Sequence, residues 1–232
     1  MVTERQLVVQ KKAEYGAGPL FRAAGAVAGV MTGSALLVLA NVLLLVALAA
    51  APLAGVWLVL PALVPAGPAL VACMYAFNRM LAGHGGQVYQ DFIRGYRMNV
   101  GQALQVWLPY LLVLAVIAVN LAGLPLLGPA APALRPALVV LALIVATAGL
   151  NALLLLSRFS FRTRDLYRLS LYSFSARKRV SLGNAGILFV SATLLLMTTT
   201  YLLPVLAGTV VFLVCLNSRP LLALVEEKFT AA

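Results

Sequence analysis

The chain has 232 residues, of which 63% are hydrophobic and 10% charged, with a net charge of +11 and a mean hydropathy of +1.01. Soluble domains carry roughly a quarter charged residues, so this composition excludes an ordinary soluble core and leaves one membrane domain. The positive charge does not indicate nucleic acid, because the basic residues cluster between apolar stretches, as they do in the inward loops of membrane proteins.

Residues 1–22 read as a polar cytoplasmic segment, and residues 23–78 carry no charged side chain. A spanning helix needs about 20 apolar residues, since 1.5 Å of rise per residue must cover about 30 Å of hydrocarbon. That stretch therefore holds two crossings, span 1 over roughly 26–49 and span 2 over roughly 56–77, parted around residues 52–55. Ala47-Leu48-Ala49 has the small residues of a cleavage site, but the run before it is too long for a signal peptide and another span follows, so no cleavage is expected. Gly25, Gly29 and Gly33 share one helix face, a seam for close helix contact within the chain or between two copies. Span 2 contains Pro61, Pro65, Gly67 and Pro68. These make either a kink that packs against neighbours or a broken helix of the kind that marks transporter sites.

A cytoplasmic loop over 79–102 leads to span 3, about 103–122, which ends in a Gly/Pro-rich turn. Span 4 covers about 137–156, and a second basic loop occupies 157–181. The charge-free residues that follow hold span 5, about 182–202, and span 6, about 205–224, with Pro204 at the turn. The expected fold is all-α: a six-helix transmembrane domain over 23–225 with a cytoplasmic tail at 226–232. With six spans all 17 basic residues except Arg135 fall on one side, which predicts both termini inside. Trp57, Trp107, Tyr110 and Tyr201 lie near span ends, where amphipathic rings favour the headgroup layer.

The two basic loops share a partial repeat. Arg97-Met98-Asn99-Val100-Gly101-Gln102-Ala103 matches Arg179-Val180-Ser181-Leu182-Gly183-Asn184-Ala185, and Asp91-x-x-Arg94 upstream echoes Asp165-x-x-Arg168. The second loop is eight residues longer between these pieces. Asn99 and Ser181 read as helix N-caps, with Gln102 and Asn184 reaching back as in a capping box. The Asp/Arg pairs have the spacing of surface ion pairs on short interfacial helices. The alternative is a binding surface where the two loops meet.

No ionisable residue lies near the middle of a span, so carboxylate-coupled ion transport is not expected. Thr32, Ser34, Asn41, Asn120, Thr147, Asn151, Ser191, Thr193 and Thr198-Thr199-Thr200 remain. They either hydrogen-bond between helices or line a path for a neutral solute. Cys73 and Cys215 lie inside spans and read as buried free thiols. The single histidine, His84, reads as a polar loop residue or a pH sensor. No nucleophile–base arrangement, P-loop or dinucleotide motif is present, so neither enzyme activity nor a cofactor is expected.

Leu60-Pro61, Gly67-Pro68-Ala69, Tyr75, Asp91-Phe92, Arg97, Asn99 and Gln102-Ala103 form a pattern that Asn41 and Ser157-Arg158-Phe159 extend. In these residues the chain resembles the YesL-like family of bacterial multi-pass membrane proteins, over most of its length beyond residue 20. Val64-Pro65 departs from the Thr-containing turn that the family tends to show. The resemblance implies a cytoplasmic-membrane protein of unestablished activity with a link to carbohydrate uptake, and carries over no catalytic residue. The first expectation is a permease-like or accessory component in uptake of a neutral solute such as a sugar. The alternative is a non-transporting interaction or assembly protein presenting basic loops to a partner or to anionic lipid headgroups. A polar cavity beside Pro61 and Pro68 favours the first. A Leu-packed bundle with an ordered cytoplasmic face favours the second.

Overall fold

The computed structural model describes residues 19–54, 56–83, 87–126, 131–159, 161–197 and 203–229. His84, Thr198-Thr199-Thr200, Tyr201 and the basic residues Arg5, Lys11 and Lys12 lie outside the described residues, as do the side chains of Arg22, Trp57 and Lys228. The described residues are helical, with no strand among them, and form ten α-helices: α1 Pro19–Ala40, α2 Val42–Ala54, α3 Val56–Ala62, α4 Ala66–Leu81, α5 Val88–Gly123, α6 Ala131–Arg158, α7 Thr163–Ala176, α8 Lys178–Met197, α9 Leu203–Asn217 and α10 Arg219–Phe229. By length and composition four stretches can cross a membrane: Ala23–Ala40, Leu58–Leu81, Val88–Leu126 and Ala131–Arg158. The pair Leu206–Asn217 and Arg219–Glu227, bent by 45°, makes a fifth if it is one crossing.

The centre of the bundle is α4, which packs on α1, α5, α6 and α9. Apart from Asn78 and Arg79 near its end, its residues are small or apolar on every side, as a helix enclosed by others requires, and Ala69, Val71, Ala72, Cys73, Met74 and Phe77 are all fully buried. Cys73 and Cys215 are buried and free, as expected of thiols acting as small apolar residues. Phe77 meets Phe212 of α9 edge-on at 5.6 Å. The outward faces are apolar too: Met31, Leu39, Leu112, Val140 and Val190 are exposed. Large apolar residues pointing away from a packed core mark contact with lipid.

The glycine seam of α1 works within the chain. A Cβ on Gly29 would strike the Met80 sulfur and one on Gly33 the Phe77 ring, while Gly25 faces open space. These two glycines let α1 approach α4 closely.

Span 2 is broken, and its break is well partnered. Pro61 lies inside α3, the chain turns at residues 63–65, and Pro65 is the N-cap of α4 with helical φ and ψ. Pro68 then falls in the first turn of α4, where backbone N–H groups have no intrahelical partner, so its missing donor costs nothing. Val64 N donates to Pro61 O at 3.2 Å and Ala66 N to Leu63 O at 3.1 Å. Leu63 O also accepts from Trp107 Nε1 at 2.9 Å. A non-helical backbone within lipid must find such partners.

The expected loop over 79–102 is a helix for most of its length. At 36 residues α5 is about 54 Å long, much more than a bilayer core of about 30 Å. The expected loop over 157–181 is likewise mostly helix: α7 and the start of α8.

Candidate functional site

The repeated element divides into two parts. Asp91 and Asp165 do share a role, since each lies in the first turn of a helix, α5 and α7 respectively, where a carboxylate opposes the positive end of the helix dipole. The capping assignment of Asn99 is corrected. Asn99 lies well inside α5, and its Nδ2 donates to Gly95 O at 3.0 Å. Ser181 is no cap either, being four residues beyond Arg177, where α7 ends at φ −136°, ψ 66°. The extra eight residues explain the mismatch. They let the second copy break into α7 and α8, whereas the first runs on as a single helix.

The expected Asp91–Arg94 pair is also corrected. Arg94 is exposed, and Asp91, nearly buried, faces Arg79 of α4 with Oδ1 3.0 Å from Nε. Arg79 stacks in turn over Tyr75, 5.9 Å from the ring centroid. Arg168 is exposed, and no ion pair joins it to Asp165 among the described residues. The second pair, Arg158–Glu226 at 3.3 Å, ties α6 to α10.

Ser181 and Asn184 instead enter a buried hydrogen-bond network with Asn151 of α6. Asn151 Nδ2 donates to Ser173 Oγ at 3.1 Å and Ser181 Oγ at 3.5 Å. Its Oδ1 accepts from Asn184 Nδ2 at 2.8 Å, which also donates to Ser218 Oγ at 3.0 Å. Asn217 Nδ2 donates to Asn184 Oδ1 and to Val180 O, both at 2.9 Å. Gly183 leaves room for that Asn217 amide, since a Cβ there would lie 2.5 Å from its Nδ2. Four helices, α6 to α9, are thus locked by amides and hydroxyls that satisfy one another, and such a network rigidifies when complete.

A second set of bonds seats α7 on α5. Tyr110 and Ser170 hydroxyls are 2.8 Å apart, Tyr167 Oη donates to Gln105 O at 2.7 Å, and Gln102 Nε2 donates to Phe161 O at 2.5 Å. Burial, and then the neighbouring Tyr110, push the Tyr167 hydroxyl up from its ordinary value, so it stays protonated and keeps its role as donor. Outward, Arg164, Arg168, Leu171 and Tyr172 are exposed at i, i+4, i+7 and i+8, one face of α7. Arg177, Lys178 and Arg179 are exposed where α7 gives way to α8, and Arg94 and Arg97 are exposed on α5.

The residues proposed for a solute path are not gathered on one. Asn120 is exposed and donates to Val116 O of its own helix at 2.7 Å. Asn151 is used up in the network. Asn41 sits at the turn between α1 and α2 and donates to Leu37 O at 2.9 Å. Sequence reasoning missed the network's closure through Ser173, Asn217 and Ser218. The signal was present, since Asn217-Ser218 interrupts an apolar run as Ser181 and Asn184 do.

This geometry separates the two copies of the repeat. Asn99→Ala is expected to leave stability within about 0.5 kcal/mol, because alanine is the better helix former in mid-helix. Ser181→Ala is expected to cost about 1–2 kcal/mol, because it removes a buried partner of Asn151. Unfolding of the two purified variants in denaturing detergent checks the difference, and equal losses would contradict it.

The fold is all-helical among the described residues, with four to five apolar helices that could span a membrane, as in a multi-pass membrane protein. Residues 37–121 match the model of a family described as "Protein of unknown function, DUF624", the YesL-like family, so this segment, from the end of α1 through most of α5, is similar to that family. Ser157-Arg158-Phe159 lies beyond the matched residues. No curated protein and no solved structure matches the chain.

Proposed function

We propose that the protein is a non-transporting accessory protein of the cell membrane, which holds the basic face of α7 and its flanking turns against anionic headgroups. The supporting observation is the contrast between inside and outside. Polar groups within α6 to α9 are spent on one another, whereas the arginines of α7 have no carboxylate partner among the described residues. Basic residues at a membrane surface contribute about 1 kcal/mol each. Protein extracted from mixed neutral and anionic nanodiscs is therefore expected to keep anionic lipid selectively. Arg164→Gln, Arg168→Gln and Arg179→Gln combined are expected to weaken that selection by about 100-fold. Saturable flux of a labelled sugar into proteoliposomes, above that into empty vesicles, would overturn this reading.

One observation favours the permease reading: α3 and α4 form a discontinuous span, a feature of many transporters. Its link to carbohydrate uptake rests on family resemblance alone.

Our reading includes six crossings with both termini inside. It takes α1 with α2, α3 with α4, α5, α6, α8 and α9 as the spans, and α8, at 20 residues, is about 30 Å long. Single cysteines at Gln87 and Ala133, in a background lacking Cys73 and Cys215, test it. An impermeant thiol reagent outside sealed cells is expected to label only the Ala133 position, and labelling at Gln87 would refute the topology.

A further inference from the structure

The outward side of α7 carries more than a diffuse positive charge. Arg164, Arg168 and Tyr172 follow one another at intervals of four residues, and all three are exposed. Side chains four apart on a helix are neighbours, with Cβ atoms about 5–6 Å from each other. The helix beneath them is firmly seated: Leu166, Ser170 and Ser173 are buried, and Tyr110 and Gln105 of α5 bond Ser170 and Tyr167. Two guanidinium groups thus spring from adjacent points on a fixed base. Among the described residues neither has a carboxylate partner, Asp165 between them included.

Each guanidinium offers a planar fork of N–H donors that matches one phosphate. A lipid with a single phosphate fills one fork and leaves the neighbouring charge to a second molecule. A lipid whose two phosphates are joined by a three-carbon bridge supplies both at once, because that bridge reaches about as far as one helical turn, about 5 Å. Once the first phosphate is held, the second binds intramolecularly, at an effective concentration on the order of millimolar. Leu171 and Tyr172, exposed beside the arginines, favour a lipid over a soluble diphosphate, since acyl chains cover them. We propose that Arg164 and Arg168 form a binding site for a glycerol-bridged diphosphate lipid, one phosphate on each arginine. This proposal rests on the basic-face reading above and names the ligand class of that face.

The test offers full-length protein, in detergent with phosphatidylcholine, either diphosphatidylglycerol or phosphatidylglycerol at equal total phosphate. Retained lipid is counted by mass spectrometry. Diphosphatidylglycerol is expected to be held about fivefold more tightly per phosphate, the effect of one further basic contact at a membrane surface. Arg164→Gln and Arg168→Gln, both at exposed positions, should each make the two lipids equal. Arg177→Gln, beyond the end of α7, should weaken both alike and keep the preference. A preference that survives in Arg164→Gln or Arg168→Gln would come from the four acyl chains and would overturn the proposal. Equal retention of the two lipids by the unaltered protein would also overturn it, yet leave the anionic-headgroup reading standing. Retention of neither above phosphatidylcholine would overturn both. Displacement of diphosphatidylglycerol by pyrophosphate at the lipid's own concentration would overturn the choice of a lipid over a soluble diphosphate.

Discussion

Asn184→Ala is expected to destabilise the protein by about 4 kcal/mol, which would make it among the most damaging polar substitutions in the bundle. The residue makes both ends of its amide count. Its Nδ2 serves Asn151 Oδ1 and Ser218 Oγ, and its Oδ1 accepts from Asn217. Truncation leaves Asn151 Oδ1 and the Ser218 hydroxyl buried and unpaired, at about 1–3 kcal/mol each. Asn217 keeps Val180 O. Hydrogen bonds between membrane helices average only about 0.6 kcal/mol, because the unfolded chain in the bilayer finds other partners. The larger figure applies here because Asn151, on α6, and Ser218, at the turn between α9 and α10, are fully buried in the folded state, in segments that the network itself holds together. Unfolding in denaturing detergent reads the loss. A double-mutant cycle supplies the signature: Asn151→Leu with Asn184→Leu is expected to be milder than the sum of the two, since an apolar pair leaves fewer orphans. Additive losses would mean that the two amides do not act as a unit.

The membrane-helix class of this chain was legible because charge-free length is a one-dimensional property. The break in span 2 was legible for a similar reason: Pro65 and Pro68 remove backbone donors wherever they stand. What could not be read was where a helix begins. Asn99 has the side chain of a helix start, but α5 already begins at Val88 and runs through it, because residues 89–98 contain no proline and the single glycine, Gly95, costs only about 1 kcal/mol. In the other copy the chain changes direction at Arg177, so the homologous stretch starts afresh at Lys178. Partner choice was equally hidden. Asp91 lies three residues from Arg94, yet it pairs with Arg79 because the helix on which Arg79 sits packs against it. Local spacing proposes contacts, and tertiary packing decides among them.

The same dependence on packing makes Gly67 a place where one methyl group should matter. A Cβ there would lie 2.5–2.6 Å from the Cγ, Cβ and Cδ1 atoms of Trp107. The ring cannot easily retreat, because its Nε1 is bonded to Leu63 O, which belongs to the turn that joins α3 to α4. Alanine would gain about 1 kcal/mol of helix propensity over glycine, but overpacking costs about 1–3 kcal/mol and more where neighbours are fixed. The clash should win, for a net loss of about 2 kcal/mol in Gly67→Ala and failure to yield stable protein in Gly67→Leu. Trp107→Phe should recover part of the loss in Gly67→Ala, since the smaller, unanchored ring can move aside even though Leu63 O then keeps only Ala66 N as donor. Thermal unfolding of the extracted single and double variants reads this directly. If Gly67→Ala is as stable as wild type, the close seat of α4 on α5 is not set by this contact. The discontinuous span would then have to owe its shape to the prolines alone.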